Sequence, residues 1–180
     1  MPTPLPPAFF QQPAITLAPA LLGCTLVREV DGQLRRAQLT ETEAYVGSHD
    51  LACHAAKGRT ARTEVMFAAG GITYVYLIYG MHHMLNIVAS TLDDPQAVLI
   101  RGAIPLDDWQ MDLTGPGKLA RAFGLTREHN GMALEPPHLH VLASGEGLVQ
   151  HVATPRIGVD YAMEWKDAPL RFIDPRYVKR

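Results

Sequence analysis

Glu43 and Tyr45 in the run ETEAYVG (Glu41 to Gly47), and the tyrosines of GITYVYLIYGMHHMLN (Gly71 to Asn86), put a carboxylate and several aromatic rings on neighbouring strand-like segments. A strand alternates its faces, so Glu41, Glu43 and Tyr45 share one side while Thr42 and Ala44 share the other. Tyr74 and Tyr76 likewise share a face. Gly80 reads as the turn of a hairpin returning through Leu85 to Ser90, which leaves Tyr79 near the tip, released from the pleat's alternation. A carboxylate beside stacking rings suits chemistry on a flat substrate. Tyrosine is also favoured in strands for packing alone, so core or sheet surface stays open as a reading of the spacing.

Six blocks accompany ETEAYVG: His54, nine residues after Tyr45, then RTEVMF (Arg62 to Phe67), TYVYLIYGMHHMLN, VLIRGAIPL (Val98 to Leu106), GPGKLARAFG (Gly115 to Gly124) and PLRF (Pro169 to Phe172). In this order, from about Pro13 to Phe172, they resemble the alkyladenine (3-methyladenine) DNA glycosylase family. The resemblance implies a monofunctional repair enzyme that flips an alkylated or deaminated purine out of double-stranded DNA. It then hydrolyses the N-glycosidic bond and leaves an abasic site. A base inside a duplex is unreachable, and stacking in a pocket offsets the cost of extruding it.

The resemblance also implies roles. Glu43 is the general base that takes a proton from water and stabilises the oxocarbenium ion. Arg101 helps hold that water, and the backbone carbonyl of Ile157 touches it. Tyr45 and His54 line one face of the flipped base and Tyr76 the other. Asn86 crowds the edge where guanine carries its extra amino group. Tyr79, with Met81 beside it, fills the gap left in the stack from the minor groove.

Read from residue types alone, Glu41 rivals Glu43 on the same strand face, and a buried arginine paired with Glu43 would give Arg101 the same proximity. His49, Asp50, His54, His82 and His83 lack the spacing of a zinc motif, and neither Cys24 nor Cys53 sits in a C-x-x-C pair; no metal and no cofactor are expected. Two other classes are weighed: a lesion-binding module that does not hydrolyse, and a metal-dependent hydrolase of small nucleosides or formyl compounds.

At 180 residues, 47% hydrophobic and 19% charged, the chain suits one soluble domain. Residues 1–13 read as a flexible proline-rich tail and 14–180 as a single glycosylase domain. Without a transmembrane-length apolar run or a signal peptide, the expected location is the cytoplasm, on the nucleoid when bound to DNA, with no membrane partner. The expected state is a monomer. The formal charge of −2 is unusual for a DNA binder. Distribution must compensate: Lys57, Arg59 and Arg62 follow the His54 block, Lys118, Arg121 and Arg127 lie on or after a helix, and Arg171, Arg176, Lys179 and Arg180 load the C-terminus. Arg62 and Lys118 are the expected phosphate contacts.

The pattern predicts helices over 17–23, 60–69 and 115–125. It predicts a hairpin of 24–30 with 33–45, the tyrosine hairpin 74–90, and strands over 97–104, 138–143 and 170–173. Hairpin-joined strands with segregated helices argue for α+β on a mixed, mainly antiparallel sheet with a protruding β-hairpin. Against the family pattern, Thr60, Ala61, Arg62, Thr63 replace a usual T-P-R-N. The segment 102–114 is short and acidic, and Thr114 replaces an asparagine. These departures predict a weaker grip on the backbone with intact excision chemistry.

Overall fold

Strand β2 runs thirteen residues, Gln33–Tyr45, and the sheet is organised along it. The computed structural model describes residues 2–177. Strand β1 (Thr25–Val30) pairs with the first half of β2 through the turn at Asp31 and Gly32. Strand β8 (Arg171–Ile173) pairs with its second half, at 41–43. Along the opposite edge lies β5 (Gln96–Leu106). The hairpin β3 (Thr73–Ile78) and β4 (His82–Ala89) adds to β5, β6 (His140–Leu142) adds to β1, and β7 (Val152–Thr154) adds to β8. Each of these pairings is antiparallel, giving a sheet of eight strands. The expected α+β class holds.

Alternation on the central strands builds two faces. Ala44 on β2, Val75 on β3, Leu85 and Ile87 on β4, and Val98 and Ile100 on β5 enter one core with Leu17, Leu21, Leu119 and Phe123. Helices α2 (Ala14–Ala20) and α3 (Pro116–Ala122) cover that side. Thr42 is buried there too, and its hydroxyl donates to the Ala18 carbonyl at 2.8 Å, so the polar group is satisfied. The intervening residues Glu41, Glu43, Tyr45, Tyr74, Tyr76, Asn86, Leu99 and Arg101 face the other way.

The segment expected to be a loose tail is packed. Leu5 donates its amide to Val141 at 2.8 Å, Pro4 bridges to Leu142, and helix α1 (Pro7–Phe10) delivers Phe10 into the main core at 1% exposure. The prolines suggested disorder, but Phe10 buries enough apolar surface to anchor them, roughly 1.5–3 kcal/mol for one such ring. Gly70 admits this segment, because a Cβ there would overlap the Phe10 carbonyl.

Helix α2 starts at Ala14, three residues before the expectation. Thr60 to Ala69 is not a helix but a turn leading into a 3-10 segment, Glu64–Phe67. Thr60 and Thr63 accept each other's amides at 3.2 and 2.8 Å, and such side-chain bonds capture the backbone in competition with helix. The short strand β7 was not foreseen. Lys179 and Arg180 lie outside the described residues.

Gly70→Ala is expected to cost about 1–3 kcal/mol through overpacking. Thermal unfolding should show a fall of roughly 2–4 °C per kcal/mol, and limited proteolysis should find residues 2–13 newly cleavable.

Candidate active site

Strand register sets four side chains in a row across the sheet. Tyr74 pairs with Asn86, Asn86 with Leu99, and Leu99 with Glu43. Next to this row the β2–β5 ladder is irregular: Glu41 pairs with Gly102 and Thr42 with Ile100, so Arg101 has no residue opposite it. Such a bulge re-aims a side chain. The Arg101 guanidinium consequently lies between the two glutamates, Nε 3.1 Å from Glu41 Oε1 and one Nη 3.6 Å from Glu43 Oε1.

The two carboxylates differ in surroundings. Glu41 is 23% exposed at its side chain and is held by Arg101 and by Arg171, whose Nε donates at 2.6 Å. Glu43 has no exposed side-chain surface. Its Oε1 accepts from the Tyr45 hydroxyl and its Oε2 from the Ile157 amide, each at 2.8 Å. Burial raises its pKa above the ordinary carboxylate range, opposed by Arg101, the Ile157 amide, the Tyr45 hydroxyl and Arg156.

Above this floor opens a cavity of about 280 Å³ lined by Tyr45, His54, Tyr74, Tyr76, Asn86, Leu99, Arg101, Ile157 and Tyr161, among others. Glu43 itself does not line the cavity, but three residues that do, Tyr45, Arg101 and Ile157, lie against its carboxylate. His54 and Tyr76 meet edge to face, centroids 4.6 Å apart at 69°, and no planar group fits between them. They form one wall with Tyr74, whose hydroxyl lies 2.8 Å from His54 Nδ1. The expected sandwich, His54 with Tyr45 against Tyr76, is therefore regrouped. Strand periodicity fixes the Tyr74 and Tyr76 face but carries no information on where the turn after Tyr45 lands.

Burial, then the nearby Arg62 and Lys57, push the His54 pKa down to about 4, so the ring is neutral at neutral pH. Tyr74 keeps its proton because burial raises its pKa, so its hydroxyl suits donation to Nδ1 and leaves Nε2–H as the ring's donor. Asn86 is 3% exposed and donates Nδ2 to the Tyr74 carbonyl at 3.2 Å.

Residues 8–177 match the family described as methylpurine-DNA glycosylase. The chain belongs to this family. Relatives from Myxococcus xanthus, Methanocella arvoryzae and Clostridium botulinum are 49%, 42% and 41% identical. These alignments span 93%, 94% and 96% of this chain and 88%, 92% and 96% of the relatives, each of which bears the provisional name 3-methyladenine DNA glycosylase. Membership makes the protein a glycosylase, a hydrolase of N-glycosyl bonds that acts on DNA.

The enzyme's hairpin projects away from the body. Tyr79 is 86% and Met81 69% exposed. Tyr79 (φ 52°) and Gly80 (φ 67°) form a two-residue turn closed by the Met81 amide on the Ile78 carbonyl at 3.2 Å. Asparagine usually occupies the first position of such a turn, and an aromatic residue there is strained.

Ile157 donates its amide to Glu43, and its side chain is 48% exposed. Arg62 is exposed and its guanidinium lies 5.2 Å from the centre of the Tyr76 ring. Lys118 is bound to Asp112 at 2.8 Å, within the acidic segment. Arg59 is taken up by Glu64 and Asp93. Among the described residues, no three His, Cys, Asp or Glu side chains are grouped to hold a metal ion, and no helix is long and apolar enough to cross a membrane. Cys24 and Cys53 are buried thiols.

Sequence reading missed Asp50 as the partner of Arg156. The family resemblance drew attention to Ile157, and nothing local signals that the preceding arginine pairs with a residue 106 positions away.

Two outcomes follow from this geometry. Tyr79→Asn is expected to stabilise the fold by about 1 kcal/mol, measured by urea unfolding, because asparagine tolerates the left-handed backbone; affinity for a lesion duplex should fall in the same variant. Glu43 has a raised folded pKa. Its contribution to stability is therefore fully present below the unfolded value of about 4.3 and is lost as pH rises through the folded value. Thermal melts should show Glu43→Gln more stable than wild type at pH 7, with the advantage gone near pH 4.

Proposed function

We propose that this enzyme extrudes an alkylated or deaminated purine from double-stranded DNA and hydrolyses its N-glycosidic bond with Glu43 as general base. The observation that carries the reading is a fully buried carboxylate under an aromatic-lined cavity, oriented by donors from three directions. Hydrolysis at the anomeric carbon develops positive charge on the sugar, and an ionised carboxylate in a low-dielectric site both stabilises that charge and accepts the water's proton. A water entering between Tyr45, Arg101 and Ile157 meets Glu43 directly. Arg101, held by Glu41, is within reach to orient it. The names of the relatives support 3-methyladenine as one substrate.

In this reading the base stacks with Tyr45 on one side and the His54–Tyr76 wall on the other. Neutral His54 offers an N–H to its edge. Asn86 stands at the edge where a guanine amino group would project. Tyr79 and Met81 occupy the vacated place in the duplex. Arg62 is the phosphate contact on the cavity side; Lys118 serves as one only when phosphate replaces Asp112. The enzyme works as a monomer on one face of the DNA.

The test is single-turnover release of base from duplexes carrying hypoxanthine, ethenoadenine or 3-methyladenine, with EDTA present. Wild type is expected to release base, and Glu43→Gln to lose it by about 10²–10⁴-fold while still binding the lesion duplex. Binding without release by wild type would sink the hydrolytic reading in favour of a lesion sensor. Equal rates for both proteins, with Glu41→Gln inactive, would move catalysis to Glu41.

A further inference from the structure

Behind the cavity wall, Arg156 and Asp50 form a bidentate ion pair with no exposed side-chain surface on either residue, at 2.6 and 2.9 Å. Stability does not explain it. A buried ion pair gains little over well-packed neutral side chains, and Arg156 Nε has no hydrogen-bond partner among the described residues, which adds a desolvation cost.

What the pair does is connect the parts of the site. Asp50 also accepts from the amides of Val46 and Ala52, at 3.1 and 3.0 Å, and so winds up the loop between Tyr45 and His54. Arg156 donates to the carbonyl of Ala44, the residue between Glu43 and Tyr45, at 3.0 Å. Its guanidinium lies over the Tyr45 ring, 4.8 Å from the centroid, and does not itself line the cavity that Tyr45 lines. The next residue, Ile157, directs its amide to Glu43 Oε2.

We infer that Arg156, anchored by Asp50, is a positioning residue: one buried guanidinium fork holds the Tyr45 ring from behind, the backbone between Tyr45 and Glu43, and the Ile157 amide on the proposed general base. The inference rests on Glu43 acting in that role. Lysine cannot reproduce it, because an ammonium group neither grips a carboxylate with two parallel bonds nor stacks flat on a ring.

The experiment compares wild type, Arg156→Lys and the neutral pair Asp50→Asn/Arg156→Met in single-turnover base release at saturating enzyme, across pH 5 to 9, alongside thermal melts. The neutral pair should melt at or near the wild-type temperature yet release base about 10–100-fold more slowly, as expected for reacting groups displaced by a fraction of an ångström to an ångström. Its acid limb should also move to higher pH. Glu43 is faced by Arg101 from β5, Tyr45 on its own strand, Tyr76 from β3, and Arg156 with the Ile157 amide from the loop after β7, while Arg171 of β8 is turned to Glu41. The neutral pair loses the Arg156 cation, which acts on Glu43, together with the Asp50 anion, which does not contact Glu43 and so offsets only part of that loss, leaving Glu43 harder to ionise. Arg156→Lys keeps the charge, so it should slow release with the acid limb unmoved.

Wild-type rate and pH profile in the folded neutral pair would overturn the inference, as would a rate loss in both variants that merely follows melting temperature. If the neutral pair fails to fold, Arg156→Lys decides: a wild-type rate there overturns the inference, and a slowed rate with an unmoved acid limb upholds it. If wild type binds lesion duplexes but releases no base, the glycosylase mechanism proposed for Glu43 fails first and takes this role with it.

Discussion

A carboxylate removed from water persists in its charged form only if the protein supplies what the water did. Glu43 is the point on which the architecture turns. Its two oxygens receive a hydroxyl from its own strand and an amide from the loop after β7, and a guanidinium from β5 stands close by. No single element provides all three. Four strands in register bring Glu43 level with Leu99, Asn86 and Tyr74, and a local irregularity in the β2–β5 ladder turns Arg101 toward both glutamates. Burial still wins over these donors, so the group is held in a state that costs the fold something, as is common where chemistry is done.

The charge distribution separates structure from binding. Much of the positive charge is spent internally: Arg171 and Arg101 on Glu41, Arg156 on Asp50, Arg36 on Asp107, Arg176 on Glu146 and Asp174. The acidic stretch after β5 occupies Lys118 as well. With a formal charge of −2 and so many cations paired, the exposed Arg62 beside the cavity stands out among the described residues as positive charge at the surface.

How much of this was legible follows from what sets each feature. Strand alternation is local, so the shared face of Glu41, Glu43 and Tyr45, the opposite face of Thr42 and Ala44, and the exposed tip at Tyr79 could be read directly. The bulge that frees Arg101 leaves no mark in composition. The packing of Phe10 under Gly70 depends on partners sixty residues apart, and the prolines around it pointed the other way. Thr60 and Thr63 look tolerable in a helix until their side chains are seen to close a turn. The regrouping of His54 with Tyr76, and the pairing of Asp50 with Arg156, are tertiary facts with no periodic signature. The roles of individual residues came from family resemblance, which transfers function without transferring distance.

The order in which strands lie along β2 differs from the order in which they are made. Its first half is completed at once by β1, through a tight turn. Its second half, which carries Glu43, is completed on that edge by β8, where Glu43 pairs with Arg171. The amide on Glu43 Oε2 also arrives late in the chain, from Ile157. On the ribosome, then, the carboxylate emerges long before the elements that enclose it. Contacts of such sequence separation are slow to form because the intervening chain must first be closed into loops. A nascent or truncated chain ending before these segments leaves Glu43 without the Ile157 amide and the β8 pairing, so its buried surroundings exist only once folding is complete.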